Sequence, residues 1–234
     1  MPQQTLSLPQ VWPVIHIKSD SPAQTMRNAD IALRCDCEGV FLISMEGDNR
    51  RVMPLARHVK AKFRGLKVGV NLLGVDPVLA LGQSLAEGLD ATWTDSPGVT
   101  SQGASATARD TAALLRDHPE HAFFGSVAFK YQPEELDPCA AALAASALGM
   151  VATTSGSATG SAPSVEKLRS LRAALGTRPL AVASGITPEN VAELGPYLSH
   201  ILVATGVSKS FYEFDEARLQ RLVQEVRGLA ARPA

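Results

Sequence analysis

The stretch HIKSDSPAQ, residues 16–24, joins the first apolar run of the chain to its first segment of helical period, and it contains no glycine. An open, doubly wound parallel sheet of nucleotide-binding type carries Gly-x-Gly-x-x-Gly at this turn, so that the chain can bend sharply and approach a pyrophosphate. Here the turn instead supplies a helix start. Ser21 stands at the N-cap position, Pro22 at the first helical position and Gln24 three residues beyond the cap. Met26, Ala29, Leu33 and Cys37 then predict one apolar helix face.

Working outward, apolar runs rich in Val, Ile and Phe alternate with stretches of helical period, the pattern of a parallel sheet with helical crossovers. Strands are predicted from Val14 (VIHI), Val40 (VFLISM), Lys67 (KVGVNLL), Ala91 (ATWTD), Ala122 (AFFGSVAF), Met150 (MVATT), Leu180 (LAVAS) and Ile201 (ILVAT). A helix follows each of them; in the last, Asp215 is the cap and Leu219, Leu222, Val223 and Val226 form the buried stripe. Strand starts roughly 20 to 31 residues apart in a chain of 234 residues predict an α/β fold, a single-domain (β/α)8 TIM barrel. Residues 1–12 are read as an N-terminal extension and about 13–230 as the barrel.

Composition narrows the function. The formal net charge is −1 and the pI about 6.5, with basic residues scattered and aromatics at only 5%, so neither a duplex footprint nor a stacking platform for nucleic acid is present. No apolar stretch is long enough to span a bilayer, and the N-terminus lacks the basic start and apolar core of a secretion signal, so a cytoplasmic protein is expected. Cys35, Cys37 and Cys139 are expected as reduced thiols, and Cys35-Asp-Cys37 lacks nearby partners for a metal site. No cofactor motif occurs; Glu46 and Asp48, after the second strand, are the pair open to a divalent cation. A homo-oligomer is compatible with the sequence, and Phe211, Tyr212 and Phe214 form an aromatic stretch suited to a protein contact.

In such barrels the reacting groups stand at the C-terminal strand ends, with phosphate held by the loops after strands seven and eight. Those loops are ASGITPENV, residues 183–191, and ATGVSKS, residues 204–210. Ser184, Gly185 and Ile186 lead into Thr187 and Pro188, which predict a helix start whose free N–H groups favour an anion. Thr205 and Gly206 add donors from the neighbouring loop. The sixth loop, TTSGSATGSAPS, residues 153–164, borders them with Gly156, Thr159 and Gly160; it is neither a nucleophile elbow nor a Walker loop.

Chemistry-bearing residues fall at strand ends: His16, Asn71, Asp95 and Lys130. Lys130 closes the apolar run GSVAFKY, where desolvation lowers an amine's pKa and suits it to proton transfer or Schiff-base formation. Asp95 precedes the long loop SPGVTSQG and is the partner for acid–base work. His16 and Asn71, with Thr159, are placed to orient a substrate.

Taken in order, PVIHI, VGVNLL, GVTSQG, VAFK, SGSATGSAP, SGITPENV and ATGVSK resemble the BtpA family, barrel proteins named after a factor linked to photosystem I biogenesis. The resemblance covers most of the chain and implies the TIM-barrel fold and a site containing Asn71, Lys130, Thr159, Gly160, Gly185 and Gly206. It brings no settled reaction. The chain departs from the family in passing directly from HI to KSDSP, in Tyr131 after the lysine where histidine is usual, and in SMEGDN, which lacks the usual Glu-Asn pair. The expected function is an enzyme acting on a phosphate-bearing small metabolite, a sugar phosphate or nucleotide-like compound, by isomerase, lyase or hydrolase chemistry. The alternative is a non-catalytic barrel that binds such a metabolite as an assembly or regulatory factor.

Overall fold

The computed structural model describes residues 7–18 and 21–229, so Ser19 and Asp20 of the first turn, residues 1–6 of the expected N-terminal extension and the expected end at residue 230 lie outside the described residues. Eight parallel strands close a barrel in chain order. They are β1 (Gln10–His16), β2 (Gly39–Ile43), β3 (Lys67–Asn71), β4 (Ala91–Thr94), β5 (Ala122–Ser126), β6 (Val151–Thr154), β7 (Leu180–Ala183) and β8 (His200–Val203). The barrel is sealed where Gln10 of β1 meets His200 of β8 and Val14 meets Phe41 of β2. Residues 10–12, expected outside the barrel, are therefore part of its first strand.

The crossover helices are α1 (Pro22–Arg34), α2 (Asn49–Lys62), α3 (Pro77–Ala86), α4 (Ala106–Arg116), α5 (Pro138–Ala147), α6 (Val165–Leu175), α7 (Val191–Leu194) and α8 (Glu216–Gly228). Asp215 caps α8 by accepting from the Arg218 N–H, and the expected Leu219, Leu222, Val223 and Val226 are its buried face. Helix α1 differs from its reading. Ser21 is the N-cap without a side-chain bond, the helix stops at Arg34 before Cys37, and Leu33 points outward while Gln24, Thr25, Asn28, Ala29 and Ala32 are buried. Cys35 and Cys37 are buried thiols just beyond its end, with burial pushing the pKa of both upward. Polar Asn28 occupies the inner face because it ties down the eighth loop, as described below.

Inside the barrel, bulky and small residues alternate around the ring. Phe41 stands at the centre of an aromatic cluster, with ring centroids 5.3 Å from Trp12, 5.9 Å from Trp93 and 5.2 Å from Phe124. Strand β7 contributes only Ala181 and Ala183 to this interior, and β3 sets Gly69 beside Phe41 on the neighbouring strand. The fit leaves no slack at Gly69: a methyl there would overlap the Phe41 ring and lie 2.9 Å from the Ala91 Cβ. We therefore expect Gly69→Ala to destabilise the fold by about 1–3 kcal/mol, as overpacking does in close-packed interiors. Urea unfolding monitored by tryptophan fluorescence measures this, and an unchanged midpoint would contradict the packing described.

Candidate active site

Above the aromatic cluster, at the C-terminal ends of the strands, a cavity of about 120 Å³ opens at the barrel mouth. His16, Asp95, Lys130, Thr159, Ser184 and Thr205 line it, together with apolar side chains of the barrel. The sequence-predicted residues thus divide. Those six converge, and Asn71 joins them from beneath, buried, with its Nδ2 donating to Asp95 Oδ1 at 3.1 Å. Gly160 reaches the rim by donating its N–H to Ser184 Oγ at 2.9 Å. Gly156, Gly185, Ile186 and Gly206 do not line the cavity.

Three of these glycines have backbone on the side where a Cβ would stand. A methyl on Gly185 would overlap the backbone of Ser161 and Ala162, one on Gly156 the carbonyls of the same two residues, and one on Gly206 the Ile186 carbonyl. The small residues of loops six, seven and eight let these loops pack backbone to backbone. The expected helix start after Gly185 also differs, because Thr187–Asn190 forms a separate turn and α7 is only four residues long. Thr187 Oγ1 accepts from the Glu189 N–H within that turn, and Asn190 Oδ1 accepts from the Thr187 N–H.

Lys130 is not at a strand end as expected. Strand β5 stops at Ser126, and Lys130 sits on a turn flanked by Ala128 and Tyr131, both at positive φ. Ser184 is a third positive-φ residue at this mouth, and backbone strain of this kind is held only where surrounding contacts over-determine it. Those contacts are present. The Lys130 N–H donates to Ser155 Oγ at 2.8 Å, and the Gln132 side chain accepts from the Phe129 N–H and donates to the Ser126 and Asp95 carbonyls. Lys167, at the start of α6, donates to the Ala128 and Ser155 carbonyls at 2.7 and 2.9 Å, joining loops five and six. Ser155 belongs to the hydroxyl-rich sixth loop expected to supply donors, whereas no motif marks Gln132 or Lys167.

The turn aims the Lys130 amine into the mouth. Its Nζ stands 4.5 Å from the Phe129 ring centroid and donates to the Ala183 carbonyl at 3.3 Å. Burial holds its pKa below the ordinary lysine value, against the pull of Asp95 and Tyr131. Burial raises the Asp95 pKa, against the Asn71 hydrogen bond and the Lys130 charge. Burial likewise lowers that of His16, opposed by its bond to the Phe211 carbonyl and helped by the Lys130 charge. His16 Nδ1 lies 3.0 Å from that carbonyl, which can only accept, so Nδ1 carries the proton and the neutral ring presents Nε2 as an acceptor.

Phe211 belongs to the eighth loop, a short antiparallel hairpin of Ser208–Ser210 with Glu213–Phe214. Its ring stacks on His16 at 4.3 Å and lines the cavity. Asn28 of α1 anchors this hairpin, donating to the Tyr212 carbonyl at 2.8 Å and accepting from the Phe214 N–H at 3.1 Å. Of the aromatic stretch read as a protein contact, Phe211 lines the mouth and Phe214 is buried in the core. The pair read as open to a cation is engaged elsewhere: Asp48 pairs with Arg50 and Arg51, and Glu46 accepts from the Tyr212 hydroxyl. Among the described residues, no three His, Cys, Asp or Glu side chains converge as a metal site requires, and no helix is long and apolar enough to cross a membrane.

No family model matches the chain, and no curated protein matches it. Solved structures do. The phosphoribosyl anthranilate isomerase from Thermus thermophilus aligns with a TM-score of 0.65 at 15% identity, covering 94% of this chain and 99% of that one. The native KDPGal structure gives 0.68 at 12% identity over 98% of this chain and 100% of the other. The 2-keto-3-deoxy-6-phosphogluconate aldolase of Zymomonas mobilis ZM4, with 3-phosphoglycerate, gives 0.62 at 16% identity over 94% and 91%. At these identities the likeness establishes the TIM-barrel fold.

The hairpin geometry generates a prediction. Asn28→Ala removes the two bonds by which α1 holds the eighth loop, and local opening there should cost about 1–2 kcal/mol less, so amide exchange at Phe214 should rise roughly tenfold. Hydrogen–deuterium exchange read by mass spectrometry measures it; unchanged protection of residues 211–214 would contradict the anchoring role.

Proposed function

We propose that the chain is an enzyme acting on the carbonyl group of a phosphate-bearing small metabolite, with the Lys130 amine as nucleophile. One observation carries the reading: a desolvated amine, a carboxylate and an imidazole line one apolar cavity at the C-terminal mouth of the barrel. An amine in such surroundings spends more of its time uncharged, which is the form that attacks carbon. Attack of Nζ on a substrate carbonyl gives a carbinolamine; loss of the carbonyl oxygen as water leaves a protonated imine. The imine accepts the electron pair when a neighbouring C–H or C–C bond breaks, which is isomerase or lyase chemistry. Asp95, held by Asn71, takes and returns the proton, and His16 Nε2 accepts a hydrogen bond from the substrate.

The hydroxyls of Thr159, Ser184 and Thr205 at the rim support a phosphate at that end of the cavity. Similar barrels whose names include a phosphoribosyl isomerase and a phosphogluconate aldolase support the substrate class. The ordered loop pieces from PVIHI to ATGVSK support placing the chain among BtpA-type barrels.

Borohydride added to the protein with a panel of phosphorylated aldehydes and ketones, of bodies from polyol to aryl, tests the proposal. We expect a reduced adduct on the Lys130 peptide with at least one of them, absent in Lys130→Met. Its rate should rise with pH as the amine loses its proton. Because Asp95 raises the Lys130 pKa, Asp95→Asn should move that rise to lower pH. No adduct on Lys130 with any compound would contradict the assignment.

A further inference from the structure

The cavity is not polar all round. Its hydroxyls come from one arc, loops six to eight, where Thr159, Ser184 and Thr205 stand. Across the mouth, between His16 on β1 and Asp95 after β4, the wall from β2 and β3 is Ile43, Met45 and Leu73, with Val14 and Trp93 beside it. Beside that wall Trp93 Nε1 donates to Ser126 Oγ at 3.0 Å and Asn71 is bonded to Asp95, so His16 and Asp95 are the polar groups a ligand meets on this side. A ligand hydroxyl turned toward Ile43, Met45 and Leu73, and not toward His16 or Asp95, would lose its water without gaining a protein partner, whereas hydrocarbon placed there would leave water at no such cost.

We infer that the ligand is amphipathic: its phosphate lies against the hydroxyls of Thr159, Ser184 and Thr205, and the body facing β2 and β3 is hydrocarbon, not a polyhydroxylated sugar. This rests on the phosphate-metabolite reading above and narrows its substrate class. Exposed Met45, at 47%, and Phe211, at 47%, extend the apolar surface to the cavity's lip, where such a body would enter.

Equilibrium titrations followed by tryptophan fluorescence, with Trp93 as the reporter in the wall, test the inference using phenyl phosphate, ribose 5-phosphate, inorganic phosphate and phenol. Phenyl phosphate should bind roughly tenfold or more tightly than ribose 5-phosphate, since a site without partners for a ligand's hydroxyls discriminates against them. Leu73→Gln, at a half-buried position, and Met45→Gln, at an exposed one, should each weaken phenyl phosphate several-fold and leave ribose 5-phosphate unchanged. Thr205→Ala should weaken both. Ribose 5-phosphate binding as tightly as phenyl phosphate, or neither Gln variant affecting phenyl phosphate, overturns the hydrocarbon body while the phosphate reading stands. Phenol binding as tightly as phenyl phosphate, with Thr205→Ala silent, overturns the phosphate end and the amphipathic ligand with it. No binding by any of the four overturns both readings.

Discussion

The mouth of this barrel depends on how its interior is filled. Trp12, Phe41, Trp93 and Phe124 occupy the centre, and Gly69, Ala181 and Ala183 make the room they need. The result is a solid apolar plug with no pore, and its upper surface, reached by Trp93 and Phe129 with ring centroids 6.1 Å apart, is the floor of the cavity. That floor is what keeps water from solvating Lys130, Asp95 and His16 fully. In each of the three, burial is the largest cause of the shift, and each shift is toward the neutral form. The chemistry available at the mouth is therefore set by packing two layers down.

A reactive amine also needs a fixed position, and here the loops supply it. Lys130 stands on a strained turn, and Gln132, Ser155 and Lys167 hold that turn from three directions. Loop six in turn rests on loop seven through the contact of Ser161 and Ala162 with Gly185, and loop eight rests on Ile186 through Gly206. The C-terminal half of the mouth is consequently a single interlocked unit. The N-terminal half is simpler, with side chains at or near strand ends, such as Val14, Ile43 and Trp93, forming the wall directly.

Much of this was legible in the sequence because barrel geometry turns strand order into spatial order. Once the glycine-free turn after β1 removed the nucleotide-binding open sheet, residues at the ends of strands and in the loops that follow them had to share one mouth, and His16, Asp95, Lys130, Thr159, Ser184 and Thr205 do. The glycines were read less well. A missing Cβ admits a ligand or another stretch of backbone equally, and sequence alone does not separate the two; at Gly156, Gly185 and Gly206 the neighbour is backbone. Strand five was read too long because AFFGSVAF is uniformly apolar, and nothing in Ala128 announces a positive φ. Asn28 was invisible for a related reason: a polar residue on an inner helix face breaks the amphipathic pattern, and its partners in the eighth loop lie 184 and 186 residues away.

The central claim is that the barrel's apolar floor keeps the Lys130 amine poorly solvated. Side-chain NMR titration of 13Cε-labelled lysines, with Lys130 assigned by its loss in Lys130→Arg, measures this without any substrate. The account predicts a Lys130 midpoint below the ordinary lysine value of 10.5. A midpoint at or above that value would mean a fully solvated or firmly ion-paired ammonium, and the cavity would then have no nucleophile to offer.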